Sequence, residues 1–370
     1  MRIPFLDLKR QYRDLAPDID LAVQRVLEGG VYILGTEVDR FELEWADFCG
    51  VGRAATVNSG TDALTLALIG SGAVREDHSE VITSPLTAAY TGLSILNAGG
   101  TPVFADIDPQ TFTLDPNAIE KALTSRTRAI VPVHLYGRMA DMKAIYDIAD
   151  AHDLVVVEDA CQAHGLRLLT DSDKRKGRSA AVFSFYPTKN LGAFGDGGAV
   201  VSNEPELIDQ IKILRQGGHE VATQREVLGL NSRMDEIQAA ILRVKLKKLQ
   251  AWNDTRRHLA HIYTEGLQNA HSLEMPSIEQ SESHVQHLYV VKHRERERMR
   301  EHLLAKGIGT MIHYPTLLHQ QPLFKRSEQN PLPHAEEVVK RIVSLPLYPE
   351  LTTTEVENVI DAILEFGAKP

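Results

Sequence analysis

Phe183-Ser-Phe-Tyr-Pro-Thr-Lys-Asn-Leu-Gly-Ala-Phe-Gly-Asp-Gly-Gly-Ala199 sets one lysine, Lys189, among small, hydroxyl and aromatic residues between two apolar runs. A lysine amine is nucleophilic at neutral pH only where its surroundings favour the uncharged form, and its usual use is a Schiff base with a carbonyl compound. Glycines at 192, 195, 197 and 198 permit close backbone approach in a loop that folds over a ligand. An ordinary surface turn also tolerates a lone lysine, so the flanking chain has to decide the matter.

On either side of this loop, residues 180–184 and 198–202 read as strands. The loop is too short and too rich in glycine to hold a crossover helix, so these two strands are not parallel neighbours. Upstream, β-prone runs at 53–57, 80–83, 102–106, 128–133 and 154–158 alternate with helical patterns. That alternation predicts an α/β fold with a mostly parallel sheet. Before it, residues 11–28 and 37–48 carry helical apolar spacing around Gly29-Gly-Val-Tyr-Ile-Leu-Gly35, a glycine-bounded loop that displays Tyr32. A long helical segment spans 233–268, and its Arg243, Lys245, Lys247 and Lys248 read as a solvated face.

Open sheets of this kind bind ligands outside the carboxyl ends of their strands. After 53–57 comes Asn58-Ser-Gly-Thr-Asp-Ala-Leu64, a small-residue turn opening a helix. Backbone N–H groups, the hydroxyls of Ser59 and Thr61 and the bare Gly60 suit a phosphate there, and they suit a plain helix cap equally well. After 154–158 comes Glu158-Asp-Ala-Cys-Gln-Ala-His-Gly165. Strand alternation sends Glu158 and Asp159 to opposite faces, so one of them enters a given site. A carboxylate there can pair with a protonated pyridine nitrogen, the requirement of pyridoxal phosphate acting as an electron sink. Asp159, Cys161 and His164 are also metal-ligand types, but no second spaced pair completes a first shell, and no metal is expected.

The chain has 370 residues, enough for a large core and two domains. Its formal net charge of -10 argues against general affinity for nucleic acid or anionic membranes, and basic runs such as Lys174-Arg-Lys176 read as solvated loops. Cys49 and Cys161 form no spaced pattern, so the cytoplasm is the expected compartment. Neither a secretory leader nor a membrane-spanning run is evident.

Taken together, Asn58-Ser-Gly-Thr-Asp, the 158–165 segment, Phe-Ser-Phe-Tyr-Pro-Thr-Lys-Asn-Leu-Gly at 183–192 and Asn231-Ser-Arg-Met-Asp-Glu-Ile-Gln-Ala-Ala240 resemble the DegT/DnrJ/EryC1/StrS sugar aminotransferases. The opening Ile-Pro-Phe-Leu-Asp-Leu and Gly307-Ile-Gly-Thr-Met-Ile-His-Tyr-Pro315 also fit, so the resemblance covers nearly the whole chain. It implies an aspartate-aminotransferase-like fold with a seven-stranded sheet. Residues 1–240 would form the large cofactor-binding domain with its N-terminal helices, and 241–370 a smaller C-terminal α+β domain.

The resemblance also implies pyridoxal 5'-phosphate as cofactor, with pyridoxamine 5'-phosphate formed midway. Lys189 corresponds to the Schiff-base lysine and proton shuttle, Asp159 to the partner of the pyridine nitrogen, and Gln162 to the side chain near the ring's phenolic oxygen. Gly60, Thr61 and Ser184 correspond to the phosphate cup, and Asn231 to a residue reaching the phosphate of the neighbouring subunit. A homodimer with a shared active site follows from that last correspondence. His313, Tyr314 and the loop around Tyr32 correspond to regions that touch the nucleotide-sugar. The reaction implied moves an amino group from an amino acid, glutamate in relatives, to a keto group of a nucleotide-linked deoxysugar.

One departure stands out. Relatives often carry a ring-stacking aromatic where this chain has Ala88, and Tyr90 is the nearest substitute. Lys189, in place of the histidine of dehydratase members, favours transamination. Three other readings compete. Gly195-x-Gly197 is followed by Val200 and precedes a strand, which argues against a dinucleotide-dependent oxidoreductase. A cyclitol ketone aminotransferase and a non-catalytic pyridoxal-phosphate-binding regulatory protein would share the same cofactor residues.

Overall fold

The computed structural model describes residues 2–74, 78–169, 178–220, 225–226, 228–276, 283–325 and 330–367. Lys174-Arg-Lys176 lies outside them. Two helices come first, α1 (Leu8–Gly29) and α2 (Thr36–Cys49). The sheet strands and their helices follow: β1 (Arg53–Val57), α3 (Gly60–Gly70), β2 (Glu80–Thr83), α4 (Ala89–Asn97), β3 (Thr101–Phe104), α5 (Pro116–Ala122), β4 (Thr127–Val131), α6 (Met142–Ala151), β5 (Val155–Asp159), β6 (Ser179–Ser184), β7 (Gly198–Ser202) and α7 (Pro205–Leu214).

These seven strands form one sheet in the order β1-β7-β6-β5-β4-β2-β3. Pairing is parallel from β3 through β6, and β7 runs antiparallel to both β6 and β1. The reversal has the cause expected from the lysine loop: with no crossover helix after β6, the chain can only turn back beside it. The strands are buried almost throughout, as in a sheet covered by helices on both faces.

A short hairpin, β8 (His219–Glu220) and β9 (Arg225–Glu226), precedes the longest helix, α8 (Glu236–Gly266). Beyond it lie β10 (Leu273–Glu274), β11 (Tyr289–His293), α9 (Arg296–Ala305), α10 (Pro333–Val338), β12 (Ile342–Leu345) and α11 (Thr353–Gly367). The last three strands form a second, antiparallel sheet in the order β10-β11-β12. The first half of α8 packs Ala239, Leu242 and Leu249 into the core under the lysine loop. Its second half packs Leu259, Ala260 and Tyr263 into a separate core with Tyr289, Val343 and Ile363. One unbroken helix thus belongs to both cores.

The basic residues of α8 depart from the sequence expectation of a solvated face. Lys247 and Lys248 are exposed, but Arg243 chelates Glu44 and bonds Glu37, both of α2. Lys245 is buried, with Nζ donating to the carbonyl of Gly192. Seven-residue spacing from Gln238 turns it toward the lysine loop. Among the described residues no helix is long and apolar enough to cross a membrane.

Buried Glu42 of α2 ties three elements at the end of the sheet. It accepts from Arg215 at 2.5 Å, Lys212 at 2.8 Å and the Thr56 N–H at 2.8 Å. Arg215 also donates to the Thr56 carbonyl, and its own carbonyl accepts from the Ser232 N–H, so the bundle fixes the end of β1. Burial pushes the Glu42 carboxyl upward, but Arg215 and the other donors outweigh it and hold it below the usual carboxylate range. Stability from this group is present above the unfolded glutamate value of about 4.3 and is lost as pH falls through the lower folded value. Glu42→Gln leaves Arg215 buried without a counter-ion and should cost about 3–5 kcal/mol in urea unfolding at pH 7. The same variant should show a flatter dependence of stability on pH below about pH 4.

Candidate active site

A cavity of about 620 Å³ opens at the carboxyl ends of the parallel strands. Five strand ends contribute: Asn58 to Thr61 after β1, residues of Thr87 to Thr91 after β2, Val133 after β4, Asp159, Cys161 and Gln162 at the end of β5, and Ser184, Tyr186, Thr188 and Lys189 at the end of β6. Tyr314 enters from the segment before β12. Of the residues singled out in the sequence, Gly60, Thr61, Asp159, Gln162, Ser184, Lys189 and Tyr314 therefore share one space.

The anion end is built at the start of α3. Ser59 caps the helix, its hydroxyl accepting from the Asp62 N–H at 3.1 Å. Gly60 and Thr61 open the helix at the cavity wall, where the helix dipole favours negative charge. The helix cap is thus observed at a helix start that also lines the cavity. Gly60 is required for close packing: a Cβ there would lie 2.6 Å from that of Ser184. Gly198 has the same cause, since its Cβ would lie 2.3 Å from the Ser59 carbonyl oxygen.

Asp159, also at the cavity wall, is buried and points away from Glu158. Glu158 turns to the other face of β5 and accepts from Tyr146 at 2.5 Å and His134 Nε2 at 2.7 Å. His134 Nδ1 accepts from the Ala140 N–H, so the imidazole is neutral with its proton on Nε2. Asp159 Oδ2 accepts from the Thr91 hydroxyl at 2.8 Å and Oδ1 from the Cys161 N–H at 3.2 Å. Thr91 spends its one proton on Asp159, so the 3.0 Å contact with Thr87 is donated by Thr87. This two-hydroxyl relay was not read from the sequence. A threonine one turn beyond Thr87, on the helix after β2, is the signal that could have found it.

Lys189 lines the same cavity. Its Nζ has no hydrogen-bond or ion-pair partner among the described residues. Burial pushes the ammonium below its ordinary value, against the opposing influence of Cys161 and Asp159. Gln162 has both ends of its amide engaged: Oε1 accepts from the Tyr136 N–H at 2.7 Å and Nε2 donates to the Tyr314 hydroxyl at 2.9 Å. Tyr136 adopts a left-handed backbone (φ 60°), and its hydroxyl donates to the His313 carbonyl. Ala88 and Tyr90 both line the cavity, Tyr90 at its exposed rim.

Three candidates are not brought to this cavity by the single chain. Tyr32 is exposed on the loop between α1 and α2, where its carbonyl accepts from the Glu236 N–H. His313 packs on Phe5, and its Nδ1 is 2.9 Å from the Ser344 hydroxyl. Asn231 is exposed and bridges to Gln216. His164 is withdrawn from Asp159, with Nε2 donating to the Ser184 carbonyl at 2.9 Å. Among the described residues no three His, Cys, Asp or Glu side chains gather as a metal site. The cavity does fit pyridoxal phosphate: a helix start with hydroxyls for the phosphate, a buried carboxylate for the ring nitrogen, and an unpartnered amine.

Residues 13–364 match the model of the DegT/DnrJ/EryC1/StrS aminotransferase family. The chain is 44% identical to dTDP-3-amino-3,4,6-trideoxy-alpha-D-glucose transaminase of Streptomyces venezuelae, over 100% of this chain and 97% of that one. It is 42% identical to dTDP-3-amino-3,6-dideoxy-alpha-D-galactopyranose transaminase of Aneurinibacillus thermoaerophilus, over 99% of each. Its fold matches the crystal structure of S. venezuelae DesV in complex with a ketimine intermediate, with a TM-score of 0.93 and 43% identity over 100% of this chain and 99% of that one.

Thr91→Val keeps the side-chain volume and removes the hydroxyl on Asp159. It should weaken pyridoxal phosphate binding roughly tenfold in a fluorescence titration of the apoprotein, the worth of about one charge-assisted hydrogen bond. Thr91→Ser should restore binding to near wild type.

Proposed function

The chain belongs to the DegT/DnrJ/EryC1/StrS aminotransferase family, and we propose that it is a pyridoxal-phosphate-dependent transaminase that aminates carbon 3 of a dTDP-linked 3-keto deoxysugar, with L-glutamate as donor. The observation that carries the chemistry is Lys189, an amine without a protein partner in the same cavity as Asp159. The position on the sugar rests on both dTDP-sugar relatives described above, whose names put the amino group at carbon 3.

Pyridoxal phosphate supplies an electrophilic carbonyl and a protonated pyridine ring that draws electrons from a neighbouring carbon. Lys189, whose ammonium burial holds below its ordinary value, would be the nucleophile for that carbonyl and the base for the proton at the substrate carbon. Asp159, oriented by Thr91 and the Cys161 N–H, holds the proton on the ring nitrogen. Gly60, Thr61 and Ser184 would hold the phosphate, and Gln162, fixed by Tyr136 and Tyr314, would serve the phenolic oxygen. In this division of labour residues 1–240 carry the cofactor, and 241–370 close one side through Tyr314.

A second copy of the chain completes the site. Leu27, Val31, Tyr32, Ile33 and Phe194 form an exposed apolar run from α1 to the lysine loop, which supports pairing through that surface. Tyr32 and Asn231 then act in the partner's cavity, Asn231 at the phosphate and Tyr32 at the nucleotide-sugar. His313 acts on the same substrate through the segment that carries Tyr314.

The first test is an absorbance spectrum with pyridoxal phosphate, before and after L-glutamate. Wild type should lose its visible band to a shorter-wavelength one, and Lys189→Ala should form no such visible band. Turnover is then expected with dTDP-3-keto sugars and not with dTDP-4-keto sugars or cyclitol ketones. Binding with neither a glutamate response nor turnover would favour the regulatory reading. For the shared site, mixing inactive Lys189→Ala chains with inactive Asn231→Ala chains should restore about a quarter of wild-type activity, because each heterodimer regains one complete site. No recovery on subunit exchange would place Asn231 outside the partner's site.

A further inference from the structure

Asn190, His164 and Gly165 belong to the motifs around Lys189 and Asp159, yet none of them lines the cavity. They meet instead behind the lysine loop, in a buried polar cluster that joins the loop to α8 and to the segment leading into β11. Asn190 Nδ2 donates to Asn253 Oδ1 at 2.9 Å and to the Val285 carbonyl at 3.1 Å. Both amide protons are thereby used, so Oδ1 is left to accept, and His287 Nδ1 lies 2.9 Å from it. His287 is therefore the donor and carries its proton on Nδ1. Burial, the largest influence on this imidazole, keeps it in that neutral form.

The cluster continues toward the phosphate end of the cavity. Asn253 Nδ2 donates to the His164 carbonyl at 2.8 Å, and His164 Nε2 donates to the Ser184 carbonyl at 2.9 Å. Gly165 is needed for this approach. Its φ is +106°, and a Cβ there would stand 2.4 Å from Asn253 Nδ2. Further along the loop, Lys245 Nζ takes the Gly192 carbonyl, and Gln238 Oε1 takes the Phe194 N–H at 2.9 Å. Gln238, Lys245 and Asn253 are spaced seven and eight residues apart, so one side of α8 reads the loop at three points. From the far side Arg256 donates to the His287 and Leu347 carbonyls at 3.3 and 2.8 Å.

We propose that Asn190, clamped between Asn253 of α8 and His287 ahead of β11, is the positioning residue for the Lys189 amine, and that the clamp links that amine to the second core. The inference rests on Lys189 as the cofactor lysine. The side chain of Lys189 has no protein partner of its own among the described residues, so its direction is inherited from the backbone. That backbone is held by the Tyr186 turn on one side, where the Lys189 N–H donates to the Tyr186 carbonyl at 2.9 Å, and by the saturated Asn190 side chain on the other. Any shift of Asn190 breaks several buried hydrogen bonds together, which makes the loop stiff where the amine has to be aimed.

The test compares wild type with Asn190→Ala, His287→Leu and His287→Asn; the asparagine amide nitrogen occupies the place of Nδ1 and restores the donor. Each protein is checked for a cooperative melt and titrated as apoprotein with pyridoxal phosphate. The pH midpoint of the visible band, kcat and the keto-sugar KM are then measured. Asn190→Ala and His287→Leu should remain folded, with the midpoint moved by about one pH unit. Their kcat should fall roughly 10- to 100-fold while KM stays within about threefold, as expected for a misaimed reacting group. His287→Asn should recover midpoint and kcat to near wild type. Folded variants with unchanged midpoint and kcat overturn the inference, as does His287→Asn behaving like His287→Leu. If Asn190→Ala does not fold, the His287 pair decides alone. A wild type that gains no visible band overturns the cofactor reading and this inference together, whereas a normal wild-type band with unchanged variants overturns the positioning role only.

Discussion

A primary amine becomes a nucleophile near neutral pH only as its surroundings disfavour the ammonium, and the setting of Lys189 after β6 lowers its ammonium below the ordinary value. Much of the surrounding fold follows from it. Behind the amine, residues 190–193 are buried, and a buried stretch of loop needs its backbone polar groups satisfied from outside. Here that supply comes from α8 and from the segment before β11, through Gln238, Lys245, Asn253 and His287. Because α8 belongs to both hydrophobic cores, the lysine loop is tied to each of them.

The sheet solves a separate problem, that of bringing a helix start and a buried carboxylate into one cavity. Parallel strands put their carboxyl ends, and hence their following helix starts, on one side. The start of α3 supplies the positive end, and Asp159, at the end of β5, supplies the negative one. The strand pleat keeps the second carboxylate out of the way: Glu158 is spent on His134 and Tyr146 across the sheet. Two adjacent acids thereby acquire unrelated roles without a sequence feature beyond their order.

The parts legible in the sequence are those set by local periodicity. All seven strands of the large sheet fall within a residue or two of their expected positions, and the reversal of β7 was readable because a glycine loop cannot house a crossover. What escaped is whatever depends on which side of a helix meets which loop. Lys245 sits in a run of basic residues whose charge alone suggests solvent, and only its seven-residue offset from Gln238 hints otherwise. Thr91 is one threonine among several, and its bond to Asp159 is fixed by the tertiary approach of α4 to β5. Tyr32 and Asn231 lie outside the cavity of their own chain, a placement that depends on tertiary packing and not on their local motifs.

Lys189 and Lys245 together show which property marks the chemical lysine. Both are driven below the ordinary ammonium value by burial, Lys245 to about 8. Judged by burial or titration alone, Lys245 would be as good a candidate. The difference is in what each nitrogen meets. Lys245 Nζ is held by the Gly192 carbonyl and lies 5.1 Å from the Phe194 ring centroid, so its capacity is spent on holding a turn. Arg215 and Arg256 are spent in the same way, on Glu42 and on the carbonyls of His287 and Leu347. Among the described residues, Arg215 and Arg256 each keep a buried Nε without a partner but line no part of the cavity, whereas Lys189 lines it and its Nζ has no partner. It is the place of the free nitrogen, at a cavity wall that an incoming molecule can reach, that separates Lys189 from the others.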